Sequence, residues 1–255
     1  MKGLAQSSRP ARLLSHRVVS GGTLVRWGDQ IARAGPWRAD GSVAFLVPMS
    51  TALSADFVRH CTEALAEQGF KRVITGAIGP SEQDGFLEAG FVLEERLHLL
   101  MRDLSAPLVA LPARPPLHRA LLTKRRQLLE VDAACFSPFW QVDTAGLREV
   151  LAATERHRLR VALDAHHKVC GYAVCGAAGE QGFVQRIAVA PELRGRGIAK
   201  KLLVDGLYWL RSAGARQVAV NTQVGNEAAL SLYRGVGFED DETGLCVLSA
   251  RLGRG

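Results

Sequence analysis

Two periods of apolar residues alternate along residues 117–255 and predict an α/β order. Leu117 to Leu122 fits a short strand. Thr123 to Cys135 fits a helix, with Leu128, Leu129, Val131 and Asp132 on its turns. Thr144 to Thr154 fits a second helix, in which Leu147, Val150 and Leu151 fall at i, i+3 and i+4. Leu159–Leu163 and Val169–Cys175 read as strands joined by the turn Asp164–Lys168, a hairpin. Phe183–Val189 is the next strand, and Pro191 ends it. Ile198, Leu202, Leu203, Trp209 and Leu210 then mark a helix that Gly214 stops. Gln217–Thr222 is a strand, Asn226 caps a helix through Tyr233 that closes near Gly235, and Cys246–Leu252 is a final strand. Strands and helices in this order predict an α/β fold with a mixed sheet.

The segment 106–116 carries four prolines and reads as an extended linker. Before it, the chain echoes its own second half. Gly69-Phe-Lys-Arg-Val-Ile-Thr75 parallels Gly214-Ala-Arg-Gln-Val-Ala-Val220, and Gly85–Phe91 parallels Leu232–Phe238. Each copy then runs into a strand, Glu95–Asp103 in the first. Pro48 and the helix Ala55–Glu67 match Pro191 and its helix, with a small insertion between the copies. The expected division is a basic tail at 1–17, a first domain at 18–105, the linker at 106–116 and a second domain at 117–255.

The differences between the copies carry chemistry. After Pro191 the second copy reads Glu192-Leu-Arg194-Gly195-Arg196-Gly197-Ile198-Ala199. Two glycines permit a tight turn in which successive N–H groups converge, and the helix that follows adds its free N–H groups and the positive end of its dipole. Such a corner binds phosphate, and Arg194 and Arg196 add positive charge. It is not a P-loop, because no Gly-Lys-Ser/Thr follows. It is not the dinucleotide fingerprint either, because Lys200 stands where a third small residue belongs. The first copy has Met49-Ser-Thr-Ala-Leu53 in place of the glycines and arginines, and Phe86 in place of Tyr233. The first domain is therefore expected to fold on the same plan without binding or using a cofactor.

The Arg194-x-x-Gly197-x-Ala199 turn after Val-Ala-Pro resembles the pyrophosphate loop of the GNAT acyltransferases (GCN5-related N-acetyltransferases). The block from Val218 to Phe238, with Asn226, Ala-Leu-x-Leu-Tyr233 and Gly-x-Gly-Phe, resembles that superfamily's second conserved block. The resemblance is strong over residues 182–238. It implies two GNAT-like domains, the first degenerate, each a mixed, mostly antiparallel sheet flanked by helices. It also implies an acetyl-CoA-dependent N-acetyltransferase acting on a primary amine of a small molecule or of a peptide or protein N-terminus. On that resemblance the strands ending at Val189 and starting at Gln217 splay, and pantetheine lies against the backbone of Ile187, Ala188 and Val189. The N–H groups from Arg194 to Ala199 (Gly195, Arg196, Gly197 and Ile198 among them) take the pyrophosphate. A main-chain N–H near Ala188 or Val189 meets the oxyanion, and Asn226 contacts pantetheine besides capping its helix. Lys200 and Lys201 reach for the 3′-phosphate, and Tyr233 gives a proton to the departing thiolate.

The family branch that acetylates ribosomal-protein N-termini has a glutamate five residues before the motif asparagine. Here that position is Asn221, which is no base, and Gln185 is none either. Substrate contacts are expected from Asn221 and from Phe136–Asp143, where Phe139 and Trp140 can stack and Asp143 can attract a cationic amine.

Composition narrows the alternatives. The chain has 255 residues, 47% of them hydrophobic, and a net charge of +7. The excess charge suits a polyanionic cofactor and a basic tail. No apolar run is long enough to span a bilayer, and none follows the basic N-terminus as in a secretory signal. Five scattered cysteines, Cys61, Cys135, Cys170, Cys175 and Cys246, read as buried thiols of a cytoplasmic protein, and none has metal-ligand spacing. No membrane, metal or nucleic-acid partner is expected. A CoA-binding sensor or scaffold without catalysis, and a ribosome- or nucleic-acid-associated protein, are the rival readings. The sequence does not specify the oligomeric state.

Overall fold

The computed structural model describes residues 22–253 except Ala39, Thr51, Arg114 and Leu121. The stretch 1–17 read as a basic tail lies outside the described residues. The chain divides into two compact units, one of residues 1–95 with 246–255 and the other of residues 96–245.

In the first unit, strands β1 (Thr23–Trp27), β2 (Gln30–Trp37) and β3 (Asp40–Pro48) form an antiparallel meander. Helix α1 (Ala55–Glu67) returns the chain so that β4 (Arg72–Ile74) lies parallel to β3. A short helix α2 (Asp84–Glu88) follows. The strand on the other side of β4 comes from the far end of the chain. Ser249–Arg251 of β11 (Glu239–Arg251) pair antiparallel with Arg72–Ile74. Cys246 and Leu248 enter the same core as Leu46, Phe57, Val73 and Phe86.

The second unit contains most of β5 (Val92–Asp103), then β6 (Leu117–Arg119), α3 (Arg125–Cys135), α4 (Thr144–Ala152), β7 (Arg156–Leu163) and β8 (Val169–Ala178). It continues through β9 (Gln181–Val189), α5 (Ile198–Ser212), β10 (Gln217–Gln223) and α6 (Glu227–Arg234). Its strand order is β5-β10-β9-β8-β7-β6. β9 and β10 are parallel and the other neighbours antiparallel. Leu203, Leu207 and Leu210 of α5 pack with Cys175, Val184 and Val218. Leu128, Val131 and Leu147 of α3 and α4 pack with Tyr172, Val174 and Ala188, which alternate to the opposite face of the sheet.

The internal echo is a structural one. α1 and α5 both end in a left-handed glycine, Gly69 (φ 95°) and Gly214 (φ 93°). In both, the next N–H reaches back, Phe70 to Leu65 O at 3.3 Å and Ala215 to Leu210 O at 3.1 Å. α2 and α6 close alike, with Phe91 N–H on Phe86 O at 3.0 Å and Phe238 N–H on Tyr233 O at 3.1 Å. Phe86 and Tyr233 are therefore equivalent positions in backbone geometry.

The division falls elsewhere than the prolines suggest. The strand after each copy's Gly-Phe supplies the other unit's sheet, so the boundaries lie inside β5 and β11. The segment 106–116, expected as a linker, packs within the second unit. Leu108 and Val109 lie against the α5 core, and Arg102 donates to Pro107 O at 2.9 Å. Lys201 Nζ donates to the carbonyls of Pro112 and of Ala113, the latter at 3.0 Å.

A chain ending at Leu245 tests this exchange. It removes Cys246 and Leu248, both under 5% exposed, and the partner of β4. Hydrogen exchange within residues 22–95 is expected to lose protection although none of those residues is altered. Retained protection there would contradict the exchange.

Candidate active site

The site begins with a parting of two strands. β9 and β10 pair only at Gln181–Phe183 and Gln217–Ala219, after which each keeps its other neighbour and leaves this one. A bulge coincides with the parting. Val174 faces Arg186 and Cys175 faces Val184, so Gln185 is an extra residue on β9. A bulge bends and twists its strand and unpairs the added residue.

Register decides which backbone groups the gap receives. Ala190 N–H donates to Cys170 O at 2.9 Å, which makes that an exchanging pair of the β8–β9 ladder. By alternation Tyr172/Ala188 and Val174/Arg186 also exchange bonds, whereas Ile187 and Val189 turn their N–H and C=O groups away from β8. The N–H and C=O groups of Ile187 and Val189 thus turn toward the gap. Those of Ala188 do not, because its N–H belongs to β8, so of the two expected oxyanion donors only Val189 is available. Val189 O is met by Cys135 Sγ at 3.2 Å and Arg194 Nε at 3.4 Å.

Beyond β9 the chain forms the corner. Gly195 and Gly197 both stand at φ 75°, a conformation that costs other residues about 1–2 kcal/mol. Gly197 is the N-cap of α5 and has no side chain to satisfy the first turn. Consequently the N–H groups from Gly195 to Lys200 donate to no described residue. Arg194, Arg196 and Lys200 are exposed around them, and Ile198 is buried beneath. Lys201 is not available as a phosphate contact, since it is 7% exposed and engaged by Pro112 and Ala113.

Tyr233 lies in the core that includes Val184, Val220 and Leu230, its ring 5.8 Å from Phe238. It is 4% exposed, and its hydroxyl makes no hydrogen bond to a described residue. Burial, with Cys175 nearby, holds its phenol above the usual tyrosine range. Asn226 caps α6 by accepting from Ala229 N–H at 3.3 Å and donates to Thr222 Oγ1 at 3.0 Å. Asn221 alternates to the face opposite Val220 and is exposed.

On the α3/α4 face, Phe139 and Trp140 occupy a short 3₁₀ turn, half-buried and edge to face with centroids 5.1 Å apart. Asp143 is the N-cap of α4, accepting from Gly146 N–H at 2.7 Å. Periodicity missed a buried network beside them. Asp132, fully buried, accepts from Arg186 Nε at 2.5 Å and Nη2 at 3.0 Å, from Val142 N–H at 2.8 Å, and from the Tyr172 hydroxyl. Burial works to lower the Arg186 pKa, but hydrogen bonds to Asp132 prevail and raise it. Burial and Asp132 push the Tyr172 phenol up. The available signal was an aspartate on the apolar stripe of α3, which must find a partner.

Four of the five cysteines are buried and Cys135 is half-buried, all as free thiols; burial pushes the thiols of Cys61 and Cys175 up to about 12. Among the described residues no group of three or more His, Cys, Asp or Glu could hold a metal ion, and no helix is long and apolar enough to cross a membrane.

The profile of the acetyltransferase (GNAT) family matches residues 125–238. N-alpha-acetyltransferase 30 of Schizosaccharomyces pombe is 40% identical over 58 residues, 23% of this chain and 39% of that protein. Mycothiol acetyltransferase of Thermobispora bispora is 43% identical over 63 residues, 25% of this chain and 21% of that protein. The chain thus spans well under half of the length of these two relatives. A putative ribosomal-protein-bS18-alanine N-acetyltransferase of Bacillus subtilis is 26% identical over 110 residues, 43% of this chain and 71% of that protein. Among solved structures, a tandem GNAT protein from the clavulanic acid biosynthesis pathway superposes with a TM-score of 0.65 at 15% identity, covering 91% of this chain and 82% of that one. A GCN5-related N-acetyltransferase from Sphaerobacter thermophilus gives 0.62 at 18% identity, covering 95% and 84%. The parted strands, the glycine corner and these likenesses agree: residues 125–238, which lie in the second unit, match the GNAT family, and the chain has the fold of tandem GNAT proteins.

Proposed function

We propose that the second unit is an acetyl-CoA-dependent N-acetyltransferase that acts on a primary amine by direct attack. The observation that carries this reading is the pairing of two backbone surfaces that face away from their own sheet or helix, the gap edge at Ile187 and Val189, whose N–H groups turn from β8, and the N–H corner at Gly195–Lys200. A pantetheine arm bears amides that suit the first, as an added strand suits a sheet edge. A diphosphate suits the second. Acetyl-CoA supplies a thioester whose carbonyl carbon an amine nitrogen can attack; a C–N bond forms and the C–S bond breaks.

The protein's own groups then have distinct tasks. Val189 N–H is the donor for the carbonyl oxygen as negative charge develops on it. Arg194 and Arg196 add charge beside the diphosphate, and Asn226 sits within the loop that borders pantetheine. Tyr233 donates its phenolic proton to the departing thiolate sulfur; a buried phenol with a raised pKa is protonated throughout the neutral range. The amine sheds its proton to water, since Asn221 supplies no base. An α-amino group, with a pKa near ~8, needs less help than a lysine near ~10.4. Phe139 and Trp140 border the acceptor side. The relatives named for N-alpha-acetylation and for ribosomal-protein alanine point to an α-amine on a peptide. The one named for mycothiol keeps a small molecule open.

Calorimetry with acetyl-CoA tests the site. Gly197→Glu places bulk and negative charge in the corner and is expected to abolish binding while the fold persists. Unchanged affinity would put the diphosphate elsewhere.

Tyr233→Phe is expected to keep cofactor affinity and to lower turnover by about 10²-fold or more, read as thiol release across a panel of amines. Equal turnover would remove Tyr233 from the chemistry. Binding without turnover by the parent protein would favour the non-catalytic sensor.

The pH profile has a stated sign. Turnover should rise as the amine deprotonates and should not fall before pH ~10, because the raised Tyr233 pKa keeps the proton donor intact there. A falling limb near neutrality, lost in Tyr233→Phe, would contradict this.

A further inference from the structure

The Asp132–Arg186–Tyr172 network takes no part in the steps above, yet it joins the reacting gap to the loop on its acceptor side. Arg186 binds four partners at once. Its Nε and Nη2 grip both Asp132 oxygens, with Nε also 3.0 Å from the Tyr172 hydroxyl. Nη2 donates to Trp140 O at 2.8 Å. Its guanidinium carbon lies 3.8 Å from the centroid of the Phe136 ring. Asp132 meanwhile receives Val142 N–H at 2.8 Å, so both ends of the loop 136–142 end on one ion pair. Gln141 Nε2 ties the loop back to Ala133 O and Phe136 O at 3.1 and 3.0 Å.

Stability alone is a poor reason to keep such a pair. The two side chains are 10% and 0% exposed, and apolar residues of similar volume commonly serve a core as well or better. What a hydrophobic substitute cannot do is hold a backbone carbonyl and an aromatic face in fixed directions. A planar guanidinium can, and an ammonium cannot do so equally. The position of Arg186 is also particular. The bulge at Gln185 leaves Arg186 facing α3 beside Ile187, whose backbone edges the gap.

We propose that Arg186 is a positioning residue for amine selectivity: clamped by Asp132, it holds the loop 136–142, with Phe139 and Trp140, at a fixed place beside the gap. This rests on the reading of the gap as an acetyl-transfer site. Arg186 touches the loop; the loop touches the amine.

The test is Arg186→Lys, which keeps the charge and loses the fork. Phe136→Leu, which strips only the ring from the guanidinium, serves in its place where the lysine variant does not fold. Tyr172→Phe is the comparison, since it perturbs the same core and leaves the Trp140 contact. Hydrogen exchange is read on peptides covering 136–142 and 198–212, with acetyl-CoA affinity by calorimetry. KM and kcat are measured for an alanyl peptide, an amino sugar and a polyamine. In Arg186→Lys the loop peptide should exchange faster, the KM of the best amine should rise about tenfold and the order among the three amines should compress, with cofactor affinity within about twofold. Tyr172→Phe should leave the amine order intact. Unchanged loop exchange, or an unchanged amine order, overturns the proposal, as does an equal loss in both variants. A parent protein that binds no acetyl-CoA sinks the reading of the gap and the selectivity with it, whereas loop exchange judges the clamp on its own.

Discussion

The separation of β9 from β10 is the constraint on which the site depends. A parallel pair that ran its full length would satisfy every backbone group between the strands and leave no edge for a ligand. Here the pairing stops at Phe183 and Ala219, and the extra residue Gln185 stands where it stops. Alternation then directs Ile187 and Val189 outward and Ala188 inward. The corner at Gly195–Lys200 follows the last of these residues within one short turn. Two sets of unsatisfied donors, one along a strand and one at a helix end, are thus placed in sequence along a single path. A long ligand with amides at one end and a diphosphate further on fits that path.

The first unit shows what the same plan yields without these features. Its β3 and β4 are parallel as β9 and β10 are, and α1 occupies the place of α5. But the N-cap of α1 is Ser54, whose hydroxyl accepts from Phe57 N–H at 3.3 Å and so occupies the helix end itself. No left-handed glycine stands between β3 and α1 among the described residues. Phe86 repeats the backbone bond of Tyr233 and has no proton to give. The first unit thus repeats the fold around the candidate site without its glycine corner or its tyrosine.

What could be read in the sequence was whatever rests on local conformation. Gly195 and Gly197 announce a turn because few other residues adopt φ 75°, and the Gly-Phe closures at 90–91 and 237–238 repeat for the same reason. Tertiary pairing was not legible. The period of β5 and of β11 says that each is a strand and nothing about which β-sheet takes it. Proline content in 106–116 suggested a linker, although carbonyls of that segment are what Lys201 needs. The bulge at Gln185 leaves no periodic trace. Asp132 was placed on a helix face, and only its burial with Arg186 gives that aspartate a purpose. Asn226 and Asp143 hold the helix caps their residue types favour, and any contact of theirs with a ligand is additional to that.

Backbone amide spectra of the isotope-labelled protein, recorded with and without acetyl-CoA, test the central claim most directly. Binding should shift and protect the amides of Ile187, Val189 and Gly195 to Lys200, leave Ala188 with the protection its β8 bond already gives, and spare residues 52–58 at the start of α1. No response at the gap and the corner, or a response centred anywhere else, would contradict the account.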